Sequence, residues 1–174
     1  QGHSLIELAK IHKTPLYVYD GNQILTNFSA FEQAVSLLDS KVHFAVKANS
    51  SMAILSLLSK VGAGADVVSG GELERAIKAN IPAQDIIFSG VGKTEDELLL
   101  AMRYNIGQIN IESGPELDKI AELASMHNLT CSVALRVNVD VDPGSHEKIS
   151  TGQNNTKFGV SLADGKAEEY YQKI

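Results

Sequence analysis

The sequence predicts an α/β fold of parallel βα units, either part of a (β/α)8 barrel or an open doubly wound sheet. Short runs rich in β-branched residues alternate five times with helical patterns, at spacings of about 20 to 23 residues. Several of these runs are apolar on both faces, as expected for parallel strands that are covered by helices. The five predicted strands are Lys41–Lys47, Ala65–Ser69, Asp85–Ser89, Gln108–Glu112 and Cys131–Val139.

The segments outside these strands carry apolar residues at helical spacing. Capping boxes, in which a Ser or Thr is followed by Glu at the third position after it, predict helix starts at Thr94 and Ser113. Pro115 fits the first turn of the second helix, where its missing N–H costs nothing. The long irregular stretch Asp140–Thr156 is of a length that is usually functional or mobile. The other helices are predicted within Gln1–Lys13, Asn22–Leu38, Ser50–Lys60, Gly71–Asn80 and Ala163–Ile174.

The composition predicts one globular domain with an acidic balance. The 174 residues include 15 Lys+Arg and 21 Asp+Glu, which gives a net charge of −6. Nucleic acids and anionic membranes need a basic surface, so neither is expected as a partner. No apolar run approaches the roughly 20 residues that span a bilayer, and the first residues do not resemble a signal peptide. One cysteine, and histidines without ligand spacing, predict no disulfide and no metal site. We therefore expect a cytoplasmic protein.

In either parallel architecture ligands bind at the carboxyl ends of the strands, and the first strand ends at Lys47. Apolar strands seldom carry a lysine without a partner or a function, because an unpaired buried ammonium is costly. Low-dielectric surroundings favour the neutral amine, which can attack a carbonyl to form a Schiff base. Alternatively, Lys47 only extends from the strand end into solvent. Spacing alone leaves both interpretations open.

Other polar residues near the strand ends also have a functional and a structural interpretation. Asp66 could orient or protonate a ligand, or only cap the loop of its strand. Glu72, in the first turn of a helix, could contact a ligand or only complement the helix dipole. Arg136 lies in an apolar strand and needs an anionic or carbonyl partner, in an ion pair or in an active site. Gly92–Thr94 precedes a helix and is a weaker candidate for phosphate or carboxylate contact.

Two segments, Phe44–Asn49 (FAVKAN) and Gly64–Leu73 (GADVVSGGEL), closely resemble the fold type III pyridoxal-phosphate-dependent decarboxylases. Two later motifs, Ile149–Gly152 and Lys157–Gly159, indicate the diaminopimelate branch rather than the ornithine or arginine decarboxylases. Alanine racemases share the lysine segment, but the Tyr-Gly-His-Gly run with which they usually continue is absent after Asn49. The resemblance also includes Thr14–Tyr19, Phe88–Thr94, Asn110–Ser113 and Leu135–Asn138.

The resemblance implies that Lys47 is the catalytic residue and binds pyridoxal 5'-phosphate covalently. It places Asp66, Arg136 and Glu72 on the wall of the cofactor pocket. The implied reaction is decarboxylation of meso-diaminopimelate to L-lysine and CO2 in a homodimer, with a small amino acid as substrate. Two alternatives stay open at this point: another amino-acid decarboxylase of the family, or a non-catalytic α/β binding module.

The family has an eight-stranded barrel followed by a β-rich second domain, whereas this chain shows about five βα units. Residues 1–174 are therefore expected to be the N-terminal portion of the cofactor-binding barrel domain. The C-terminal β domain of the family is expected to be absent from this chain. We expect the fragment to be inactive alone, because much of the family's site lies outside it.

Overall fold

The structure, a computed structural model, describes residues 2–139 and 158–174. The predicted loop Asp140–Thr156, with the motif Ile149–Gly152 and Lys157, lies outside the described residues. The chain divides into two compact units, Gln1–Val42 and His43–Ile174.

The first unit contains two helices, α1 (Leu5–His12) and α2 (Gly21–Ala34). Asp20 caps α2 through its Oδ1 atom, which accepts the N–H of Asn22 at 2.9 Å. The sequence predicted that α2 would continue to Leu38, but it ends at Ala34. Leu38 is 65% exposed, so it makes too little apolar contact to extend the helix.

The second unit contains a parallel sheet whose spatial order is β1-β2-β3-β4-β5. This order follows the chain without the reversal that defines a doubly wound sheet, so the predicted partial (β/α)8 barrel is confirmed. A further parallel pair, β6 with β7, continues beyond the fifth strand. The strands are β1 (His43–Ala45), β2 (Gly64–Val67), β3 (Ile86–Phe88), β4 (Gln108–Ile111), β5 (Val133–Leu135), β6 (Val137–Asn138) and β7 (Val160–Ser161).

Helices follow these strands and cover one face of the sheet. Residues in alternate strand positions, such as Ile86 and Phe88 in β3, are fully buried in one apolar cluster with side chains of the helices. Burying a side chain as large as Phe88 stabilises the fold by roughly 1.5–3 kcal/mol. The helices are α3 (Met52–Ser59), α4 (Gly70–Lys78), α5 (Glu95–Tyr104), α6 (Gly114–His127) and α7 (Lys166–Lys173).

The predicted fifth strand, Cys131–Val139, is divided at Arg136. The Arg136 N–H donates to the carbonyl of Ile111 at 2.9 Å, which continues the pairing of β5 with β4. Its carbonyl instead accepts the N–H of Val160 at 2.8 Å, which begins the pairing of β6 with β7. The chain therefore changes its pairing partner at this residue, a change that a continuous apolar pattern does not reveal.

The capping box at Thr94 is confirmed, whereas the one predicted at Ser113 is wrong. Glu116 does not bond back to Ser113. One of its oxygens accepts the N–H of Glu112 at 2.7 Å and the other accepts from the Lys93 amine at 2.9 Å. The side chain is therefore engaged in tertiary contacts, which compete with the local capping geometry.

Two smaller boundaries also differ from the predictions. Helix α3 spans Met52–Ser59 rather than the predicted Ser50–Lys60, and the side chain of Ser51 at its N-cap position makes no capping hydrogen bond. Helix α7 begins at Lys166 rather than Ala163, because Gly165 at its N-cap has a left-handed conformation (φ 76°).

Glu97 joins α4 to α5 at the end of the sheet where the strands finish. Its Oε1 atom accepts the N–H of Gly70, the first residue of α4, at 2.8 Å. Its Oε2 atom accepts both the N–H and the hydroxyl of Thr94 at 3.0 Å. Burial acts to raise the pKa of this carboxyl, but the hydrogen bonds from Thr94 and Gly70 outweigh it, so the pKa of Glu97 lies below its ordinary value.

We expect Glu97→Gln to lower the free energy of unfolding of the full-length protein by about 1 kcal/mol at neutral pH. The folded-state pKa is lowered, so the contribution of the carboxylate is present above the unfolded-state pKa and is lost as the pH falls through the folded-state pKa. Urea denaturation from neutral to strongly acidic pH should therefore show the difference from wild type shrinking. The exposed neighbour Glu95 provides the matched control, Glu95→Gln. A difference that stays constant over this pH range would contradict the role of the ionised carboxylate.

Candidate active site

The ends of the strands border a cavity of about 710 Å³. Three of the predicted site residues line it together: Lys47 after β1, Asp66 in β2 and Arg136 after β5. Glu72 is not among the lining residues. The parallel sheet thus brings together polar groups that are up to 89 positions apart in the sequence (136 − 47). The cavity is also lined by Val68, Ser89, Gly90, Val91, Asn110, Leu135 and Phe158.

Lys47 lies in a 3-10 turn, Val46–Ala48, directly after β1. Val46 is fully buried, and its carbonyl accepts the N–H of Asn49 at 3.0 Å, which fixes the turn. Among the described residues, the Lys47 amine forms no hydrogen bond or ion pair. The residue is exposed, so the described part of the chain does not provide the low-dielectric surroundings that one of the two interpretations of the sequence required. The amine is therefore available to a ligand in the cavity.

Asp66 is the last acceptor in a row of polar side chains that crosses β2, β3 and β4. Gln108 Nε2 donates to Asn110 Oδ1 at 2.6 Å, and Asn110 Nδ2 donates to Ser89 Oγ at 2.9 Å. The Ser89 hydroxyl in turn donates to Asp66 Oδ1. Asp66 therefore does not cap a loop. Its carboxylate is held within the strand, on the face that lines the cavity.

This polar row corrects the prediction that several of the strands are apolar on both faces. In β2, Ala65 and Val67 are fully buried against the helices, whereas Asp66 between them faces the other side. In β4 the same alternation places Gln108 and Asn110 on the face opposite the helices. Because side chains alternate along a strand, one face forms the apolar core and the other forms the wall of the site.

Arg136 faces the cavity between a carboxylate and an aromatic ring. Its Nη1 atom donates to Glu112 Oε1 at 3.1 Å, and its guanidinium lies 4.9 Å from the centre of the Phe158 ring. The Arg136 side chain is 37% exposed, while the Glu112 side chain is 2% exposed. The arginine therefore has the ion pair that its sequence context required, and it also retains exposed surface in the cavity.

Glu72 and Lys93 are engaged in structural contacts. Glu72 Oε2 accepts the N–H of Val68 at 2.8 Å, close to the start of α4. The Lys93 ammonium donates to the carbonyls of Gly90 and Asn110, both at 2.7 Å, and to Glu116 at 2.9 Å. An ammonium has three donors, so the Lys93 side chain has none left for a phosphate, and anion contact by the segment Gly92–Thr94 stays a prediction.

The described ranges, 2–139 and 158–174, contain no cluster of three or more His, Cys, Asp or Glu residues that could hold a metal ion. Within the same ranges, no helix combines the length and the apolar character that crossing a bilayer requires.

The comparison with protein families decides the classification. A family model described as "Pyridoxal-dependent decarboxylase, pyridoxal binding domain" matches residues 21–174. The chain belongs to this family. A diaminopimelate decarboxylase from Zymomonas mobilis is 46% identical over 98% of this chain and 41% of that protein. Another from Aquifex aeolicus is 46% identical over 100% of this chain and 41% of that protein. The chain thus spans about two fifths of the length of these relatives.

Solved structures of the family have the same fold. A Helicobacter pylori diaminopimelate decarboxylase complexed with L-lysine is 39% identical, with a TM-score of 0.93 over 98% of this chain and 43% of that chain. The enzyme from M. jannaschii in complex with L-lysine is 40% identical, with a TM-score of 0.90 over 99% of this chain and 41% of that chain. An arginine decarboxylase from Paramecium bursaria Chlorella virus, at 24% identity and a TM-score of 0.75, shares the fold.

Sequence reasoning missed four residues that help to build this site: Ser89, Asn110, Glu112 and Phe158. Two of them, Ser89 and Glu112, are the last residues of predicted strands, so their position at the carboxyl end was a usable signal. Asn110 could have been found from the alternation within its strand. Phe158 follows the stretch outside the described residues, and nothing in its local sequence pairs it with Arg136.

Proposed function

We propose that this chain is the N-terminal portion of the cofactor-binding barrel domain of a pyridoxal-phosphate-dependent diaminopimelate decarboxylase, with Lys47 as its catalytic residue. The observation that carries this proposal is the Lys47 amine, which lines the cavity and has no partner among the described residues. The same cavity presents the carboxylate of Asp66 and the guanidinium of Arg136. A β-rich C-terminal domain would complete the longer enzyme, since the chain covers only 41% of its relatives.

The residues of the cavity fit pyridoxal 5'-phosphate. The cavity volume of about 710 Å³ lies within the range of small-molecule sites. The aldehyde of the cofactor requires an amine without a structural partner, which Lys47 supplies. Its anionic groups require a cation with free donors. The Arg136 guanidinium has five N–H donors, one of which binds Glu112, so donors remain for an anionic group.

Each residue has a role that follows from its chemistry. When bound, pyridoxal phosphate supplies an aldehyde and a ring that takes up the electron pair left when a carboxylate departs as CO2. Lys47 would hold the cofactor through its amine, and the same side chain would be placed to hold a proton near the reacting carbon. Asp66 orients N–H or cationic groups through its carboxylate, and Arg136 binds an anionic oxygen. Glu72 stays a prediction as a cofactor contact, since its carboxylate binds the N–H of Val68.

The substrate we propose is meso-diaminopimelate. The reaction replaces one carboxylate with a proton on the same carbon and yields L-lysine and CO2. Two solved relatives at 39% and 40% identity are complexes with L-lysine, which is the product this reaction would give. The alternative of another family decarboxylase has weaker support, because the arginine decarboxylase structure is only 24% identical. We further propose that the full-length enzyme is a cytoplasmic homodimer.

The experiment combines cofactor mapping with a substrate panel on the full-length protein. After incubation with pyridoxal phosphate, borohydride reduction and peptide mass analysis should place the cofactor on Lys47. The loaded protein should release CO2 and L-lysine in equal amounts from meso-diaminopimelate, and should turn over L-ornithine and L-arginine far more slowly. Faster turnover of either of those would support the alternative decarboxylase. A protein that takes up no cofactor would support a non-catalytic module.

A further inference from the structure

Glu112 is a buried carboxylate at the end of β4 that the proposed reaction does not use. Its side chain is 2% exposed, although an ionised side chain is rarely buried without a specific partner. It borders the site without being one of the residues that line the cavity. Its burial therefore requires an explanation in terms of the groups that it contacts.

Three donors from three separate segments converge on the Glu112 carboxylate. Oε1 accepts the N–H of Gly90, after β3, at 2.9 Å, and Nη1 of Arg136, after β5, at 3.1 Å. Oε2 accepts the N–H of Gly159, just before β7, at 3.1 Å. One carboxylate thus connects three successive segments at the end of the sheet where ligands bind.

The chemistry of this site requires an acceptor on both oxygens. An ionised carboxylate accepts at both, whereas an amide presents an NH₂ group at one of the two positions. In Glu112→Gln, either Gly159 or the pair of Gly90 and Arg136 would face a donor instead of an acceptor. The backbone N–H of Glu112 donates to Glu116 Oε2 at 2.7 Å, which fixes the start of the side chain. The contacts at Glu112 therefore require an acceptor at both oxygens and a fixed position of the side chain.

Arg136 is held from two directions. Glu112 binds its Nη1 atom on one side, and the Phe158 ring lies 4.9 Å from the guanidinium carbon on the other. An arginine side chain has many rotamers, so a guanidinium that is already ordered loses less conformational entropy when a ligand binds. The remaining donors of Arg136 can then meet an anionic group in the cavity.

We propose that Glu112 is a positioning residue that orders the Arg136 guanidinium for an anionic group of the cofactor or substrate. The proposal rests on the proposed function in taking pyridoxal phosphate as that ligand. Glu112 itself does not touch the ligand. It acts through Arg136, so its effect on binding should depend on the presence of the arginine.

A double-mutant cycle in the full-length protein tests this dependence. Apoprotein is titrated with pyridoxal phosphate, and the dissociation constant is measured from the absorbance of the bound cofactor. We expect Glu112→Gln to weaken binding about tenfold and Arg136→Met to weaken it by a similar or larger factor. The double variant should bind about as weakly as Arg136→Met alone. The control Glu122→Gln removes an exposed glutamate of α6 and should leave the dissociation constant unchanged.

Glu112→Asp keeps the charge but withdraws the carboxylate by one methylene, so it also serves if Glu112→Gln does not fold. It should weaken cofactor binding in wild type and have no further effect in the Arg136→Met background. Thermal unfolding of each apoprotein verifies that it is folded. Effects that multiply in the double variants, or folded Glu112 variants with wild-type affinity, would overturn the proposal. Wild-type protein that binds no cofactor would instead contradict the proposed function.

Discussion

Lys47→Ala in the full-length protein should abolish covalent retention of pyridoxal phosphate and lower kcat for decarboxylation by about a thousandfold or more. Alanine leaves no amine to bind the aldehyde and no group to hold a proton beside the reacting carbon. Lys93 cannot take over, because its side chain is 1% exposed and its three donors are engaged. Borohydride reduction followed by mass analysis would measure retention, and release of CO2 would measure turnover.

The fold should tolerate the loss of Lys47. The residue is exposed and makes no hydrogen bond or ion pair among the described residues, so its removal should change the free energy of unfolding by less than about 0.5 kcal/mol. Lys47→Arg tests charge separately from chemistry, because a guanidinium stays protonated and does not form the same bond. It should be as inactive as Lys47→Ala.

A matched surface control is Lys78→Ala on α4, which removes a lysine whose side chain is 68% exposed. It should retain full activity and full cofactor loading. Activity of Lys47→Ala within tenfold of wild type would contradict the catalytic role. Loss of activity accompanied by unfolding would contradict the structural argument.

The sequence predicted the site residues that stand at strand ends. Lys47 and Arg136 follow β1 and β5, and Asp66 lies in β2, so the rule that ligands meet the carboxyl ends of parallel strands brings them together without knowledge of contacts. The succession of strands along the chain could also be predicted from local patterns, because each helical segment separates two successive strands.

The remaining features depend on contacts between distant residues. The change of pairing partner at Arg136 depends on β7, which lies more than 20 positions further along the chain (160 − 136). Glu116 has the spacing of a capping box, yet it bonds to Lys93 and to the backbone of Glu112. Local patterns specify which groups a segment offers. They do not specify which of several competing partners a side chain will bind in the folded unit.

Lys93 and Glu116 form a buried ion pair that links the start of α5 to α6. Their side chains are 1% and 10% exposed, and the Lys93 Nζ atom lies 2.9 Å from Glu116 Oε1. The same ammonium donates to the carbonyls of Gly90 and Asn110. Both Gly90 and Asn110 line the cavity, so the ion pair also supports the wall of the site.

Lys93→Met should therefore be strongly destabilising, by about 3–5 kcal/mol in the full-length protein. Methionine fills a similar volume but leaves the Glu116 carboxylate without its cation and two carbonyls without a donor. The exposed Lys119 on α6, which pairs with Glu95 and Glu122, offers the contrast. Lys119→Met should have little effect, because solvent screens those pairs. Urea denaturation curves of the two variants give the comparison directly.

The origin of the cost can be tested in a double variant. Glu116→Gln removes the charge but keeps an oxygen for the N–H of Glu112, so Lys93→Met with Glu116→Gln no longer buries an unpaired carboxylate. We expect it to unfold at a higher urea concentration than Lys93→Met alone. Most of the loss in free energy of unfolding arises from the buried carboxylate left without a cation, rather than from the lost attraction. If the two substitutions were simply additive, the destabilisation would come from packing, and the ion pair would contribute nothing specific.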